Sequence, residues 1–215
     1  MEYDSNGPNL KPLLLINVAS PSDDITGDFR VLQNGQPAFE LALGTLHDVL
    51  PNADTIYICV QNQLQVDAIE ERLSQPDSIK NKSSALDHEQ DHPPLPFPKI
   101  HPIFLEADHN YNSNGLLAAA REFPQVNWLV LVCDYPILPP PALQQLILDF
   151  EQPVTCFVTP KGSVEPFVGI WTPAALRRMV QQVAFSSSFV EIFEDLGGRK
   201  ISPLRLEWLA HSESI

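Results

Sequence analysis

The stretch NWLVLVCDYPILPPPAL, residues 127 to 143, indicates how this chain folds. It begins with a short, almost entirely apolar run, which is typical of a strand buried on both faces of a parallel sheet. The run ends at Asp134, and Pro136 stops the strand. The prolines at 139 to 141 then begin a helix, where a missing N–H costs nothing. We interpret this stretch as a central strand, a turn and a helix.

The same alternation of short apolar runs and helical repeats extends over most of the chain. The predicted strands are 12–18, 54–60, 100–106, 127–133 and 153–158, with a further apolar run at 165–171. The predicted helices are 37–50, 65–73, 114–123, 140–150, 173–184 and 187–196. Strands that alternate with helices form a mainly parallel sheet with helices on both faces. The sequence therefore predicts one doubly wound α/β domain, a Rossmann-type three-layer α/β/α fold, over residues 1–215.

One segment interrupts this rhythm. Residues 75–98 are rich in proline and polar residues and show no hydrophobic period, so we predict a mobile surface loop there. Within it, DHEQDH places His88 and His92 among acidic residues, which is one possible pattern for a metal site. A solvated run of charges is the commoner meaning of such a pattern, and we favour it.

Composition excludes several classes of partner. The chain of 215 residues has 27 acidic against 13 basic residues and a formal net charge of -14, so nucleic acid and anionic membranes would be repelled. No apolar stretch reaches the ~18 residues of a membrane span, and MEYDSNGPN does not resemble a signal peptide. Cys59, Cys133 and Cys156 lie in apolar runs, as reduced core thiols of a cytoplasmic protein do.

Asp134 is the leading candidate for a functional side chain. Ligands of open parallel sheets gather at the carboxyl ends of the strands, where Asp134 is expected. A carboxylate in that position suits Mg²⁺, which takes one or two protein carboxylates and completes its coordination with phosphate oxygens and water. The alternative is that Asp134 caps the helix that follows.

Three segments carry a resemblance to a known family. The family is that of the MobA-like nucleotidyltransferases, the molybdenum cofactor guanylyltransferase family, and the resemblance is greatest to its fungal-type members. The similar segments are NWLVLVCDYPILPPPALQQL, PVTCFVTPKGSVEPFVGIWTPAAL and NGLLAAAREFP. The resemblance spans about residues 12–203. It implies a fold like that of nucleotide-diphospho-sugar transferases, with GTP as substrate and Mg²⁺ on Asp134. It also implies transfer of GMP to the phosphate of molybdopterin, with release of pyrophosphate.

The resemblance also implies a set of nucleotide-binding positions. Ala19 and Ser20 fall where the family has a glycine-rich phosphate loop, and Asn114 and Gly115 fall in the turn that begins a helix near the nucleotide. Asp108 corresponds to a family aspartate near the nucleotide sugar, or is a surface residue at a strand end. This turn reads YNSNG instead of the family's GPxxG, and the family's C-terminal NVNT segment is absent.

The first loop departs most from the family. The family pattern LAGGxSxRMGxDK is replaced by LINVASPSDDITGDFR, and only the following NGQP is retained. Asp23, Asp24 and Asp28 stand where the family has arginine and lysine, and only Arg30 offers a compensating charge. Carboxylates beside a triphosphate repel it.

Two classes of function remain open. The CDYP block favours a Mg²⁺-dependent nucleotidyltransferase, of the guanylyl type or another of the NTP transferases, including sugar transferases, that share this sheet. The acidic first loop and the altered C-terminus favour a catalytically impaired relative that acts as a binding or interaction module. A gene model mistranslated at the first loop would give the same pattern.

Overall fold

The computed structural model of the protein describes residues 9–16, 32, 35–79, 96–105, 111–135, 138–183 and 188–209. The strands are β1 (Leu10–Leu15), β2 (Thr55–Val60), β3 (Lys99–Phe104), β4 (Asn127–Val132), β5 (Val154–Val158), β6 (Val164–Trp171) and β7 (Arg199–Ile201). The helices are α1 (Ala38–Val49), α2 (Gln63–Ser74), α3 (Tyr111–Glu122), α4 (Pro140–Leu148), α5 (Pro173–Val183) and α6 (Phe189–Asp195), and a 3₁₀ turn follows at Leu206–Leu209.

All seven strands form one sheet in the order β3-β2-β1-β4-β6-β5-β7. Neighbouring strands are parallel except at β6, which is antiparallel to both β4 and β5. The five predicted strands therefore lie in one mainly parallel sheet, as expected, and each begins and ends within a few residues of its predicted bounds. The apolar run at 127–133 supplies β4, the middle strand.

Helices cover both faces of this sheet. Helix α1 packs against α4, and α3 packs against α5. Both α1 and α3 contact β1 and β2, yet they belong to different helix pairs, so they lie on opposite faces. This confirms the predicted three-layer α/β/α fold.

The core lies between these layers. In β4 every side chain from Trp128 to Val132 is buried, which is why the strand reads as a continuous apolar run. The three cysteines are free and buried, as predicted. None of the helices within the described ranges is both long and apolar enough to cross a bilayer.

The predicted surface loop at 75–98 is packed against the domain at both ends. Ser78 is fully buried and its hydroxyl donates to the Leu73 carbonyl, 2.9 Å away. The Ile79 amide donates to a carboxylate oxygen of Glu40 at 2.6 Å. At the other end, the Phe97 ring packs on His47 with 5.3 Å between ring centroids. Residues 80–95, with His88 and His92, lie outside the described ranges.

A buried ion pair fixes the first of these ends. Glu40 is completely buried, and its second carboxylate oxygen accepts from Arg72 Nε at 2.7 Å. Arg72 also donates to Asp77 at 2.9 Å, and its hydrogen bonds to Asp77 first and to Glu40 second raise the pKa of its guanidinium. The Arg72 guanidinium therefore stays charged, and the pair ties α1, α2 and the start of the 75–98 segment together.

Candidate active site

The sheet order creates a crevice at one place. From β1 the chain winds outward through β2 to β3, and then returns to place β4 on the other side of β1. In doubly wound sheets a crevice forms where the winding changes in this way, at the carboxyl ends of the two neighbouring strands, which here are β1 and β4. In doubly wound sheets this is where ligands bind. The crevice lies between Leu15 and the residues that follow Val132.

Asp134 lies at this crevice. It is half-buried and follows β4 after Cys133, at the carboxyl edge of the middle strand. The N-cap residue of α4 is Pro139, whose side chain makes no capping hydrogen bond. Asp134 is therefore not the N-cap residue of this helix.

Hydrogen bonds on two sides hold the turn that carries Asp134. The Cys133 amide donates to the Leu15 carbonyl at 3.2 Å, which fastens the turn to the end of β1. The Leu138 amide donates to the Tyr135 carbonyl at 3.1 Å, and the Thr45 hydroxyl of α1 donates to the Leu138 carbonyl at 3.2 Å. The backbone around Asp134 is thus anchored to both β1 and α1.

The start of α3 reaches the same place. Gly115 is buried, and a Cβ at this position would lie 2.9 Å from Leu15 Cδ2 and 3.2 Å from Cys59 Sγ. Cys59 Sγ donates to the Gly115 carbonyl at 3.3 Å. Only glycine allows this approach of helix and strand without displacement. Asn114, in the same turn, is half-buried.

The structure thus brings two predicted parts of the site together. The Asp134 turn bonds to the Leu15 carbonyl through the Cys133 amide. Gly115, near the start of α3, lies against the Leu15 side chain. The positions Ala19, Ser20 and Asp108 lie outside the described ranges, as do the acidic residues of the first loop. For those positions the sequence-based prediction stands as made.

A second carboxylate was missed by the sequence analysis. The Tyr135 hydroxyl donates to Glu165 Oε2 at 2.5 Å, and the Phe167 amide donates to Glu165 Oε1 at 3.3 Å. Tyr135 is buried, and burial first, with the nearby Glu165 carboxylate second, raises the pKa of its hydroxyl. The hydroxyl therefore keeps its proton and serves as a donor. The only sequence signal was a single acidic residue in the apolar run VEPFVGIW.

The donor set suits a cation that is shared with a substrate. The described part of the chain contains no group of three or more His, Cys, Asp or Glu side chains that could hold a metal ion by themselves. Mg²⁺ does not need such a group, because one or two carboxylates suffice when phosphate oxygens and water complete the octahedron. Asp134 can supply that carboxylate.

Two surface cavities lie elsewhere. One, of about 490 Å³, is lined by residues 9–11 and 49–54, and the other, of about 470 Å³, by residues of α2 and by 97–100. Both lie at the edge of the sheet where the strands begin, which is the edge opposite Asp134. We do not assign them to the active site.

Comparisons with known proteins concern the family and the fold of the chain. The family model of the MobA-like NTP transferase domain matches residues 29–198. No curated protein matches the sequence.

Solved structures are similar at low identity. Molybdopterin-guanine dinucleotide biosynthesis protein A from Archaeoglobus fulgidus has 12% identity and a TM-score of 0.57, over 89% of this chain and 83% of that chain. A 4-diphosphocytidyl-2C-methyl-D-erythritol synthase has 14% identity and a TM-score of 0.58, over 95% and 94%. Rv0371c from Mycobacterium tuberculosis H37Rv, in complex with manganese, has 13% identity and a TM-score of 0.52, over 90% and 87%. These likenesses show the fold that these chains share.

Proposed function

Because this chain belongs to the family of MobA-like NTP transferase domains, we propose that it transfers a nucleotidyl group from a nucleoside triphosphate to a phosphorylated acceptor. The observation that carries the proposal is the position of Asp134 beside the end of β1, at the point where the sheet changes its winding direction. A carboxylate there would meet the phosphates of a nucleotide bound across the crevice.

The specific reaction that we propose is the transfer of GMP from GTP to the phosphate of a molybdopterin-type acceptor. In this reaction the acceptor phosphate oxygen attacks the α-phosphorus, a new phosphoanhydride bond forms, and pyrophosphate leaves. The proposal is supported by the resemblance of the CDYP and EPFVGIW blocks, and by the A. fulgidus structure, whose name refers to a molybdopterin-guanine dinucleotide. We place the reaction in the cytoplasm, where the free cysteines remain reduced.

We propose Mg²⁺ as the cation at Asp134. When bound, the cation would neutralise charge on the α-phosphate and on the leaving pyrophosphate. Support for a divalent cation comes from the Rv0371c structure, which was solved in complex with manganese. The chain's own contribution is to hold the Asp134 carboxylate at the crevice through the bonds of its turn to Leu15 and to α1.

The remaining site residues would bind the nucleotide. Asn114 and Gly115 lie near the start of α3, and we assign them to the nucleotide on the resemblance, with Gly115 allowing the close approach of this helix to the sheet. We assign the backbone at Ala19 and Ser20 to the phosphates and Asp108 to the sugar, on the resemblance alone.

A second candidate function is a catalytically impaired relative that binds a nucleotide or a partner without turnover. It is favoured by the first loop, where three carboxylates replace the family's arginine and lysine. Another NTP or sugar transferase is the third candidate, because the structural neighbours include a 4-diphosphocytidyl-2C-methyl-D-erythritol synthase.

Substitution of Asp134 tests the proposed function. We expect Asp134→Ala to weaken Mg²⁺-dependent GTP binding at least ~10-fold in calorimetry, the equivalent of ~1.4 kcal/mol. Asp149→Ala is the matched control, since Asp149 is also half-buried and follows the opposite end of α4. Equal binding by the wild type and both variants would refute the metal-binding role.

Turnover separates the candidates. Wild-type protein with Mg-GTP and molybdopterin should release pyrophosphate, and Asp134→Ala should not. Binding that depends on Asp134 without pyrophosphate release would favour the impaired relative. Release with CTP or a sugar phosphate in place of GTP and molybdopterin would favour another transferase.

A further inference from the structure

Strand β6 is irregular between Glu165 and Gly169. Cys156 of β5 pairs with Gly169, but the next residue of β5, Phe157, pairs with Glu165. Residues 166–168 therefore have no partner on β5 and form a bulge in β6. Because bulges redirect side chains and are common beside active sites, this one has a functional interpretation.

The bulge is fixed by the core. The buried Trp171 indole donates to the Pro166 carbonyl at 2.9 Å, and Cys156 Sγ lies 3.8 Å from the same oxygen. At Gly169 a Cβ would lie 2.5 Å from Cys156 Sγ and 2.6 Å from the Thr155 carbonyl, so the strands can approach only with glycine there. The position of Glu165 is therefore set by buried contacts.

Glu165 lies at the edge of the sheet that carries the Asp134 turn. Strands β4 and β6 are antiparallel and pair from Trp128↔Trp171 to Val130↔Gly169, so the residues that precede Gly169 in β6 lie toward the carboxyl end of β4. The Tyr135 hydroxyl makes the connection, with its 2.5 Å bond to Glu165 Oε2. The residue next to Asp134 is thus fastened to β6.

We propose that Tyr135 and Glu165 are positioning residues that hold the Asp134 carboxylate in place for the cation and nucleotide. The inference rests on the proposed function, and it adds the part of the chain that determines where the metal ligand points. Leu15 and Thr45 hold the turn from β1 and α1. The Tyr135–Glu165 bond holds it from β6, so the turn is fixed from three elements.

Glu165 acts through its hydrogen bonds in this proposal and not as a ligand. Both of its oxygens already accept bonds, one from the Tyr135 hydroxyl and one from the Phe167 amide. Glu165→Gln removes the charge but keeps a bond to the hydroxyl, because amide and hydroxyl can each donate and accept. Glu165→Ala and Tyr135→Phe remove the bond. A positioning role and a ligand role therefore predict opposite results for Glu165→Gln.

Hydrogen exchange in the metal-free protein tests the positioning itself. We expect Tyr135→Phe and Glu165→Ala to speed exchange of the Cys133 and Leu138 amides about fivefold, as the loss of one net hydrogen bond would. Glu165→Gln should remain within about twofold of the wild type. Tyr57→Phe is the control, since the Tyr57 hydroxyl has no hydrogen-bond partner among the described residues while its ring packs on Trp128. Unchanged exchange in both bond-breaking variants would overturn the proposal.

Mn²⁺ affinity in the presence of GTP, measured by electron paramagnetic resonance, tests the consequence. Tyr135→Phe and Glu165→Ala should each weaken Mn²⁺ binding about fivefold, and the double variant should be no weaker than either, because both remove the same bond. Glu165→Gln and Tyr57→Phe should bind as the wild type does. A loss in Glu165→Gln equal to that in Glu165→Ala would make Glu165 a ligand and overturn the positioning role.

Asp134→Ala, measured beside them, separates this inference from the proposed function. If it weakens Mn²⁺ binding and the pair variants do not, the positioning inference fails and the proposed metal site stands. If Asp134→Ala has no effect, the proposed metal site fails. If Asp134→Ala has no effect but Tyr135→Phe and Glu165→Ala speed hydrogen exchange, the Tyr135–Glu165 bond only stabilises the turn. That result would also overturn the inference.

Discussion

At Gly115, the absence of a side chain determines how closely α3 can approach the sheet. A methyl group there would lie 2.9 Å from Leu15 Cδ2 and 3.2 Å from Cys59 Cβ, so the helix, Leu15 or both would have to move. Such overpacking costs ~1–3 kcal/mol, part of which is offset by the ~1 kcal/mol by which alanine favours a helix over glycine. The loss should be felt in binding as well as in stability, because Leu15 also anchors the Asp134 turn.

We predict that Gly115→Ala lowers the free energy of unfolding by about 1 kcal/mol and weakens Mg-GTP binding severalfold. Urea unfolding and calorimetry measure the two effects. Gly198→Ala is the control, since an added Cβ at Gly198 would also be crowded, there by the Phe193 ring, and Gly198 precedes β7 and is remote in the sheet order from β1 and β4. It should cost stability without changing affinity. Equal loss of affinity in both variants would show that α3 has no particular role in binding.

The buried thiols of Cys59 and Cys156 make the free energy of unfolding depend on pH in the alkaline range. Burial raises the pKa of both thiols, with a further contribution from Glu122 at Cys59 and from Glu165 at Cys156. In the unfolded chain a thiol loses its proton near pH ~8.5, whereas in the folded chain it keeps it. The unfolded state then binds fewer protons, so the free energy of unfolding must fall as the pH rises above that value.

We predict a decrease of up to ~1.4 kcal/mol per pH unit for each of these thiols above pH ~8.5. Urea unfolding with reductant at several pH values between about 7.5 and 10 measures it. Cys59→Ala should reduce the slope by the contribution of one thiol, whatever its effect on stability at neutral pH. An unchanged slope in that variant would mean that Cys59 ionises in the folded protein.

At the scale of elements, periodicity was sufficient for the sheet but not for the whole site. The apolar run at 127–133 predicted β4 because a strand buried on both faces has no polar alternation to obscure it. The position of Asp134 at the carboxyl end of β4 could be predicted from this strand, and ligands of doubly wound sheets bind at such strand ends. The ends of the segment 75–98 were predicted less well, because the contacts of Ile79 with Glu40 and of Phe97 with His47 are made with distant residues.

Glu165 could not be located from the sequence for a similar reason. Its partner Tyr135 is 30 residues away, and the contact depends on the antiparallel direction of β6 and on its bulge. Neither feature leaves a hydrophobic period. An isolated acidic residue in an apolar run is a signal that a partner exists, because a carboxylate is costly to bury alone, but it does not identify the partner.

The first loop follows β1 in the sequence, and in the proposed function it would face the triphosphate. Amide donors and positive charge stabilise phosphate groups, whereas Asp23, Asp24 and Asp28 supply negative charge. Each unscreened carboxylate near the phosphates should cost about 1 kcal/mol, or about fivefold in affinity. We therefore predict that the native chain binds GTP with a Kd in the high micromolar range or weaker.

A chimera tests this element directly. Residues 17–28 are replaced by a glycine-rich loop that carries arginine and lysine, and Mg-GTP binding is compared with that of the unaltered protein by calorimetry. Tight Mg²⁺-dependent binding by the chimera alone is the expected result. Tight binding by the unaltered protein would contradict the prediction and favour an active enzyme over the impaired relative. A folded chimera that ignores GTP would implicate the YNSNG turn or the C-terminal segment.

The charge of the whole molecule leads to the last prediction. The formal net charge is -14, and Mg-GTP is itself an anion, so long-range repulsion opposes their encounter. Added salt screens this repulsion, because the Debye length falls from about 10 Å at ~0.1 M to about 3 Å at ~1 M. A phosphate site built from lysine and arginine loses affinity under the same change, since there the screened interaction is attractive.

We expect the Kd of the native chain for Mg-GTP to fall about two- to threefold as NaCl rises from ~0.05 to ~0.5 M at constant Mg²⁺. The chimera with the basic loop should show the opposite trend, because local attraction then exceeds the long-range repulsion. Guanosine, which lacks phosphates, should bind either protein with little dependence on salt, and so controls for effects of salt on the fold. An affinity of the native chain for Mg-GTP that falls with salt, as in the chimera, would contradict the prediction. Arg30 or another cation would then have to face the phosphates closely enough to outweigh the acidic surface.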